Sequence, residues 1–278
     1  MSVNAPATVH SLTYYPVKGC AGITVDRAEV TARGLRHDRE FMVVAAETGR
    51  FLSQRRLPSM AVVQPRMLDD GDTLALSAPG VEDLKAGVVE DGPRREVSVF
   101  SFTGQGVDQG DDAARWFGVV LGVDCRLVRV PPDHTRVSSG ETGGTAGFAD
   151  GHALLVASLA SLAELNRRLA ERDVAALPMN RFRPNVVLDG WTEPHAEDLV
   201  RSARLGEVEI GYEKRCKRCA VPTVDQETGR PAGPEPTRTL ATYRGGAEEG
   251  GVVFGMKAAV VRPGVVSVGD TVTVHRWA

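Results

Sequence analysis

Two cysteines three positions apart, Cys216 and Cys219, sit in the stretch EKRCKRCAVPTVDQETG among Lys214, Arg215, Lys217 and Arg218. Cations beside a thiol favour the thiolate, which is the nucleophilic and metal-binding form of cysteine. Three chemistries use such a pair. A structural zinc site needs four ligands, usually as two close pairs. The other two of the four cysteines, Cys20 and Cys125, stand alone, and none of the six histidines forms a His-x3–5-His pair. A dithiol redox motif sets its first cysteine at a helix N-terminus. Here AVPTVDQETG follows, with Pro222 too deep for a helix start and Val221, Thr223 and Val224 favouring extended chain. The pair is therefore expected on a strand or at a strand end. The third chemistry is a single thiolate acting as soft ligand to a metal brought in by another molecule. Half-buried cysteines beside a solvated basic turn would have the same composition.

Three more segments carry groups suited to anions. YYPVKG offers Lys18 beside Gly19, where backbone can approach a ligand closely. GLRHDR sets Arg36 and Arg39 three apart. NRFRPN sets Arg181 and Arg183 before Pro184, which biases residue 183 towards extended backbone. Arginine forks and a lysine point charge suit phosphate oxygens, though each segment alone also reads as screened surface charge. No P-loop or G-x-G-x-x-G pattern accompanies them.

The bulk properties narrow the class. The chain has 278 residues, 42% hydrophobic and 25% charged, with net charge −3. It is long enough for one large domain or two modest ones, and no global positive field recruits nucleic acid or anionic lipid. The N-terminal MSVNAPATVHSLTYYPVKG lacks the basic and apolar regions of a secretory signal. ALLVASLASLAEL is too short and too interrupted to cross a bilayer. These features predict a cytoplasmic protein with reduced cysteines and no membrane or nucleic-acid partner.

Strands must position the candidate groups. VHSLTYYPV, GITVDRAEV, TLALSA, REVSVFSF and DCRLVRV read as strands, and EFMVVAAETGRFLSQ as a hairpin around Glu-Thr-Gly. DDAARWFGVVLG reads as a helix with Asp111 or Asp112 at its positive end. Residues 131–151, rich in Gly, Ser, Thr and Pro, form a long loop and the natural domain boundary. HALLVAS is a buried strand, and Ser161 and Glu164 have capping-box spacing for the helix LAELNRRLAER. RFRPNVVL, GEVEIGYEKR, AVVRPGVVSVG and DTVTVHR return to strands. The expected class is α+β, strand-rich, with two or three helices.

Taken in order, YYPVKGCAG, GLRHDREFMVV, FADGHALLVASLASLAELN, RFRPNVVLDG, AEDLV, RCKRCAVPTVDQETG and TYR…VVFGM…VVRPGVVSVGD resemble the MOSC proteins that carry an N-terminal barrel-like domain. That group includes the mitochondrial amidoxime-reducing component and its bacterial counterparts. The resemblance runs from Val9 to Val274. It implies a small N-terminal barrel-like β domain over residues 1–130 and a MOSC β-barrel-type domain over 131–278.

The resemblance also implies a molybdenum cofactor, with a pterin dithiolene holding the metal and a tail ending in phosphate. Cys219 matches the metal-binding cysteine, and Cys216 a structural or protective one. Lys217 and Arg218 match positions beside the metal. Lys18 and Arg39 match the N-terminal domain's cofactor-holding pair, and Gly19 stands where relatives often have serine. Arg183 and Asn185 match the FRPN segment. Gly151 and His152 replace a Thr-Ser pair of animal relatives, and Lys257 replaces an aromatic residue found in some. The implied reaction removes oxygen from a small N-hydroxylated substrate, with Asp225 and His152 as candidate proton handlers. Asp225 before Glu-Thr-Gly is also a turn former. With no iron–sulfur cysteine cluster up to Ala278, electrons are expected from a separate ferredoxin- or flavin-type reductase. A cofactor or sulfur carrier without turnover is the alternative, and a structural zinc protein the second.

Overall fold

The computed structural model describes residues 6–246 and 250–278; the first five residues of the N-terminal segment read for a secretory signal lie outside the described residues. Seven strands close a barrel: β1 Ala7–Tyr14, β2 Leu154–Ser158, β3 Val186–Asp189, β4 Val200–Leu205, β5 Val208–Lys217, β6 Gly251–Arg262 and β7 Thr271–Trp277. The order around the barrel is β2-β3-β1-β7-β4-β5-β6, and β6 returns to β2 through Leu154 to Val156 paired with Ala258 to Met256. Only β2 and β3 are parallel. A parallel pair needs a crossover, and helix α2, Leu159–Ala170, supplies it.

Alternation along the strands fills the barrel. Val9 and Leu12, Leu154 and Val156, Val186 and Leu188, Ala203 and Leu205, Val208 and Ile210, and Met256 and Ala258 all join one buried core. Successive side chains on a strand point to opposite faces, so the two-residue spacings send one set inward, and a register shift between Val9 and Ser11 lets Val9 and Leu12, three apart, do the same.

A second sheet orders its strands as Phe41–Ala45, Cys125–Arg129, Phe102–Asp108 and Arg94–Val99, all antiparallel. Helix α1, Asp111–Leu121, packs Ala113 and Phe117 into the cluster holding Phe41, Val43 and Leu127. Met42 and Val44 face the opposite cluster, with Val97, Val128 and Phe148. Both faces of Phe41–Ala45 are therefore covered, as its unbroken apolar run requires. Among the described residues no helix is long and apolar enough to cross a membrane.

The chain boundary at 130/131 is not a boundary between sheets. β1 pairs with β3 and β7, Ile23–Val25 pairs with β1, and Arg27–Thr31 pairs with Gly264–Ser267. The loop from 131 to 151 is itself pinned: Val137 and Ser138 pair with Thr145 and Gly144, and Phe148 is buried.

Several local expectations give way. Helix α2 starts one turn earlier than the Ser161–Glu164 spacing suggests. Ser158 is its N-cap, its Oγ accepting from Ser161 N at 3.2 Å, while Ser161 Oγ donates to the buried Glu197 carboxylate at 2.7 Å. A buried carboxylate must be given donors, and that need recruits Ser161. REVSVFSF is two strands, because the chain turns at Phe100 and Ser101. The second arm of the expected hairpin is reduced to isolated bridges at Arg50 and Phe51. Before β3, RFRPN forms a 3-10 turn, Met179–Phe182, in place of a strand.

Candidate functional site

One cavity of about 130 Å3 opens between the barrel and the second sheet. Of the residues expected at a site, Lys18, Gly19, Arg39, His152, Arg183, Asn185, Lys217, Arg218, Cys219 and Lys257 line it. Gly151 and Asp225 do not. Gly151 takes φ +89 between Asp150 and His152, which do line the wall.

Asp225 belongs to a turn. Its Oδ1 accepts from Glu227 N at 3.1 Å, from Thr228 N at 2.8 Å and from Thr228 Oγ1 at 3.0 Å, and Oδ2 lies 3.5 Å from Arg181. Those hydrogen bonds hold its carboxyl below the usual range. These contacts are those of the turn former that the Glu-Thr-Gly context also suggested. Arg181 and Arg36 also face elsewhere: Arg181 Nε donates to Pro222 O at 2.8 Å, and Arg36 pairs with Glu29 at 3.1 Å.

Arg39 and Arg183 are built into the wall. Arg39 donates to the buried Asp38 carboxylate at 2.7 and 2.8 Å, to Asn185 Oδ1 at 3.0 Å and to Arg183 O at 3.3 Å. Arg183 Nη2 donates to Cys20 O at 2.6 Å and Nη1 to Gln226 Oε1 at 3.1 Å. Both guanidiniums lie over the Tyr15 ring, 4.1 and 4.3 Å from its centroid. Burial lowers the Arg183 pKa. Burial also opposes the Arg39 charge, but Asp38, Tyr15 and Asp150 together outweigh it and raise the Arg39 pKa.

The extended backbone expected at Arg183 is not found. Its φ of 56° and ψ of 47° are left-handed. The bias imposed by Pro184 is outvoted because Arg183 N closes the 3-10 turn onto Asn180 O and Arg183 O accepts from Arg39. Arg39 itself has φ +46. Left-handed backbone at non-glycine residues costs on the order of 1–3 kcal/mol each and gathers at functional sites.

Asn185 is a stitch. Its Oδ1 also accepts from Leu155 N at 3.1 Å, and its Nδ2 donates to Thr13 O at 3.1 Å, so it ties β1, β2 and Arg39 together. Lys18 is buried and paired with Asp150, the one carboxylate in the cavity lining. Burial lowers the Lys18 pKa, and Asp150 opposes that shift. Burial alone would raise Asp150, but Lys18, Lys257 and Arg39 win and hold its carboxyl well below the usual range. Lys257 Nζ donates to Asp150 O at 3.0 Å.

Cys219 is exposed, on the loop after β5, and lines the cavity. Cys216 is buried at the end of β5, where Arg218 Nη1 approaches its sulfur at 3.0 Å. The pair thus lies at a strand end, as expected. Burial pushes Cys20 up to about 12 and Cys125 up to about 11, so both remain thiols in separate surroundings. Among the described residues no three or more His, Cys, Asp or Glu side chains gather as metal ligands. His152, pushed down to about 4 by burial and by Lys257, stands neutral near pH 7.

The lining presents Lys18, Arg39, Arg55, Arg183, Lys217, Arg218 and Lys257 against Asp150 alone. Arg218 Nε is buried without a partner. One accessible thiol beside cations in excess is chemically compatible with a soft metal carried on an anionic organic frame.

Two family models divide the chain. The MOSC N-terminal beta barrel domain matches residues 6–124, and the MOSC domain matches residues 143–273. The chain belongs to the MOSC family. This MOSC chain is 36% identical to mitochondrial amidoxime-reducing component 1 of Mus musculus, over 95% of itself and 81% of that protein. It is 34% identical to mitochondrial amidoxime reducing component 2 of Bos taurus, over 95% and 82%. It is 29% identical to molybdenum cofactor sulfurase of Arabidopsis thaliana over 88% of this chain, a stretch that covers 32% of the sulfurase.

The MOSC cavity is also shaped by residues that carry no local mark of their role. Asp150 lines it as the counter-ion of Lys18, and Tyr15, outside the lining, is the platform under Arg39 and Arg183. Phe51 and Phe100 come from a bridge and a turn where strands were expected, and Arg55 from the turn at residues 54–56.

Proposed function

We propose that this MOSC chain holds a molybdenum cofactor and reduces small N-hydroxylated molecules, amidoximes or hydroxylamines, with electrons from a separate ferredoxin- or flavin-type reductase. One observation carries the reading: the accessible thiol of Cys219 opens into the same cavity as the buried Lys18, Arg39 and Arg183. The donor chemistry fits the group. A single thiolate leaves a metal open for further ligands, the excess cations match an anionic tail, and Arg218 Nε is an unused buried donor at the wall. Two relatives are amidoxime-reducing components by name.

In this reading Cys219 is the metal's protein ligand. Lys18, Arg39 and Arg183 grip the anionic tail, and Asn185 fixes the Arg39 fork. When bound, the cofactor supplies the two-electron couple. Overall, two electrons and two protons enter, the N–O bond breaks, and water leaves with the amine or amidine. His152 is neutral at the wall, its Nδ1 and Nε2 each 3.4 Å from a backbone carbonyl oxygen, of Asp150 and Ser139. It is suited to passing a proton as a hydrogen-bonding neutral group.

A second reading, transfer of the cofactor or of sulfur without turnover, is favoured by the exposure of Cys219 and by the likeness to a molybdenum cofactor sulfurase. Metal analysis of protein made in a cofactor-competent host separates the readings, with Cys219→Ala as control. Stoichiometric molybdenum lost in Cys219→Ala, with benzamidoxime reduced by a chemical electron donor, supports the reductase. Molybdenum without any reduction supports the carrier. Molybdenum unchanged in Cys219→Ala ends ligation by that residue.

A further inference from the structure

At the wall of the cavity stands an aromatic pair to which the cofactor reading gives no role of its own, although Lys18 Nζ lies 5.4 Å from the Phe51 ring and 5.7 Å from the Phe100 ring. Phe100 is 55% exposed and has φ +55 in the turn between Arg94–Val99 and Phe102–Asp108. Turns of this kind place glycine, asparagine or aspartate at positive φ, and a bulky aromatic residue there is an outlier. Burial does not compensate it, since more than half of the side chain meets solvent. Its ring instead meets Phe51, centroids 4.9 Å apart at 58°. The exposed Arg55 lies over both rings, 5.3 Å from Phe100 and 5.8 Å from Phe51. Among the described residues Arg55 has no carboxylate partner within salt-bridge distance. All three line the same cavity as Cys219.

A strained, exposed aromatic residue paired with a second ring and an unneutralised guanidinium has the features of a ligand face. Planar rings gain by stacking on phenylalanine, and a guanidinium fork selects a carboxylate. We propose that Phe51, Phe100 and Arg55 form the subsite for the non-reacting end of the substrate, and that this end is a planar aromatic ring bearing an acidic group. The subsite rests on the reading of the cavity as a reaction site. It narrows the substrate to N-hydroxylated aromatic acids and disfavours cationic ones, because the surrounding lining is already rich in positive charge.

Direct binding tests the subsite independently of turnover. The probe is the unreactive 4-carboxybenzamide, titrated calorimetrically into the intact protein beside neutral benzamide. Wild type should bind the acid about tenfold more tightly than the amide. Arg55→Gln should remove most of that difference. Phe100→Gly suits the left-handed turn, so it deletes the ring without straining the backbone; it should weaken both probes about fivefold with no fall in thermal midpoint. In metal-loaded enzyme, the kcat/KM ratio of 4-carboxybenzamidoxime to acetamidoxime should fall in both variants. Unchanged dissociation constants in both variants would overturn the subsite. So would loss of molybdenum from Phe100→Gly, which would assign the face to the cofactor's own ring. Absence of molybdenum from wild type would count against the cofactor reading while leaving the probe titration to decide the subsite.

Discussion

Arg39 Nη2 donates to the backbone carbonyl of Arg183 at 3.3 Å, across 144 positions of sequence. Two like charges sit side by side because each has its own support. Asp38 neutralises Arg39, Cys20 O and Gln226 take the Arg183 fork, and the Tyr15 ring lies under both. The contact joins the segment leading into Phe41–Ala45 to the segment before β3, and so couples grip on a ligand to the docking of the second sheet on the barrel.

Arg183→Ala should therefore lower both. Leaving Cys20 O and Gln226 without their donor should cost about 1–3 kcal/mol in urea denaturation, and molybdenum content should drop with it. Arg183→Lys should not restore either, because an ammonium cannot span both acceptors as the fork does. Normal metal content in both variants would make Arg183 a purely structural residue.

Cys219→Ala should dissociate metal from stability. Cys219 is exposed, so its loss should change stability by less than about 0.5 kcal/mol. Chemical denaturation of the metal-free variant against metal-free wild type checks this.

Asp150→Asn should make the cavity of cofactor-free protein a stronger anion trap. It removes the carboxylate that neutralises buried Lys18. The thermal midpoint should fall without added anion and should rise more with pyrophosphate than that of wild type. Asp150 is held below its ordinary pKa, so the pair's contribution is present above the unfolded value of about 3.9 and is lost as pH falls through the folded value. A wild-type-like pyrophosphate response would show that Asp150 does not limit anion binding.

Acid should weaken the fold before carboxylates protonate. His152 and His195 are both pushed down to about 4, chiefly by burial. Unfolded histidine titrates near about 6.5, so between these values the unfolded chain binds more protons and stability falls as pH drops. His195 has φ +65, which asparagine tolerates. His195→Asn should flatten the slope of stability against pH across that window, measured by urea denaturation at several pH values.

Gly34→Ala should be the harsher of two glycine tests. At φ +113 an added Cβ would collide with the backbone carbonyl of Ala153, next to His152, and neither side can yield. Gly19, at φ +85, would meet only the flexible tip of Met60 at 2.9 Å. Thermal midpoints should fall by several degrees more in Gly34→Ala than in Gly19→Ala.

Much of this protein is local and was legible. Two-residue alternation marked the strands, Asp111 and Asp112 marked the start of α1, and the ordered motifs, through the family resemblance, singled out Lys18, Arg39, Arg183 and Cys219, which the fold brings to one cavity. What failed was decided at long range. Pro184 argues for extended chain at Arg183, but Arg39 holds its carbonyl in a left-handed turn. Ser161 has capping spacing, but the buried Glu197 claims its hydroxyl. Neither Asp150 nor Tyr15 carries a local mark of its role. Alternation and turn chemistry are set by neighbours in the chain, so they survive in a single sequence. Which cation meets which carboxylate depends on β1 closing between β3 and β7, and on the second sheet laying Phe51, Phe100 and Arg55 beside the thiol loop. Only the folded chain makes those contacts.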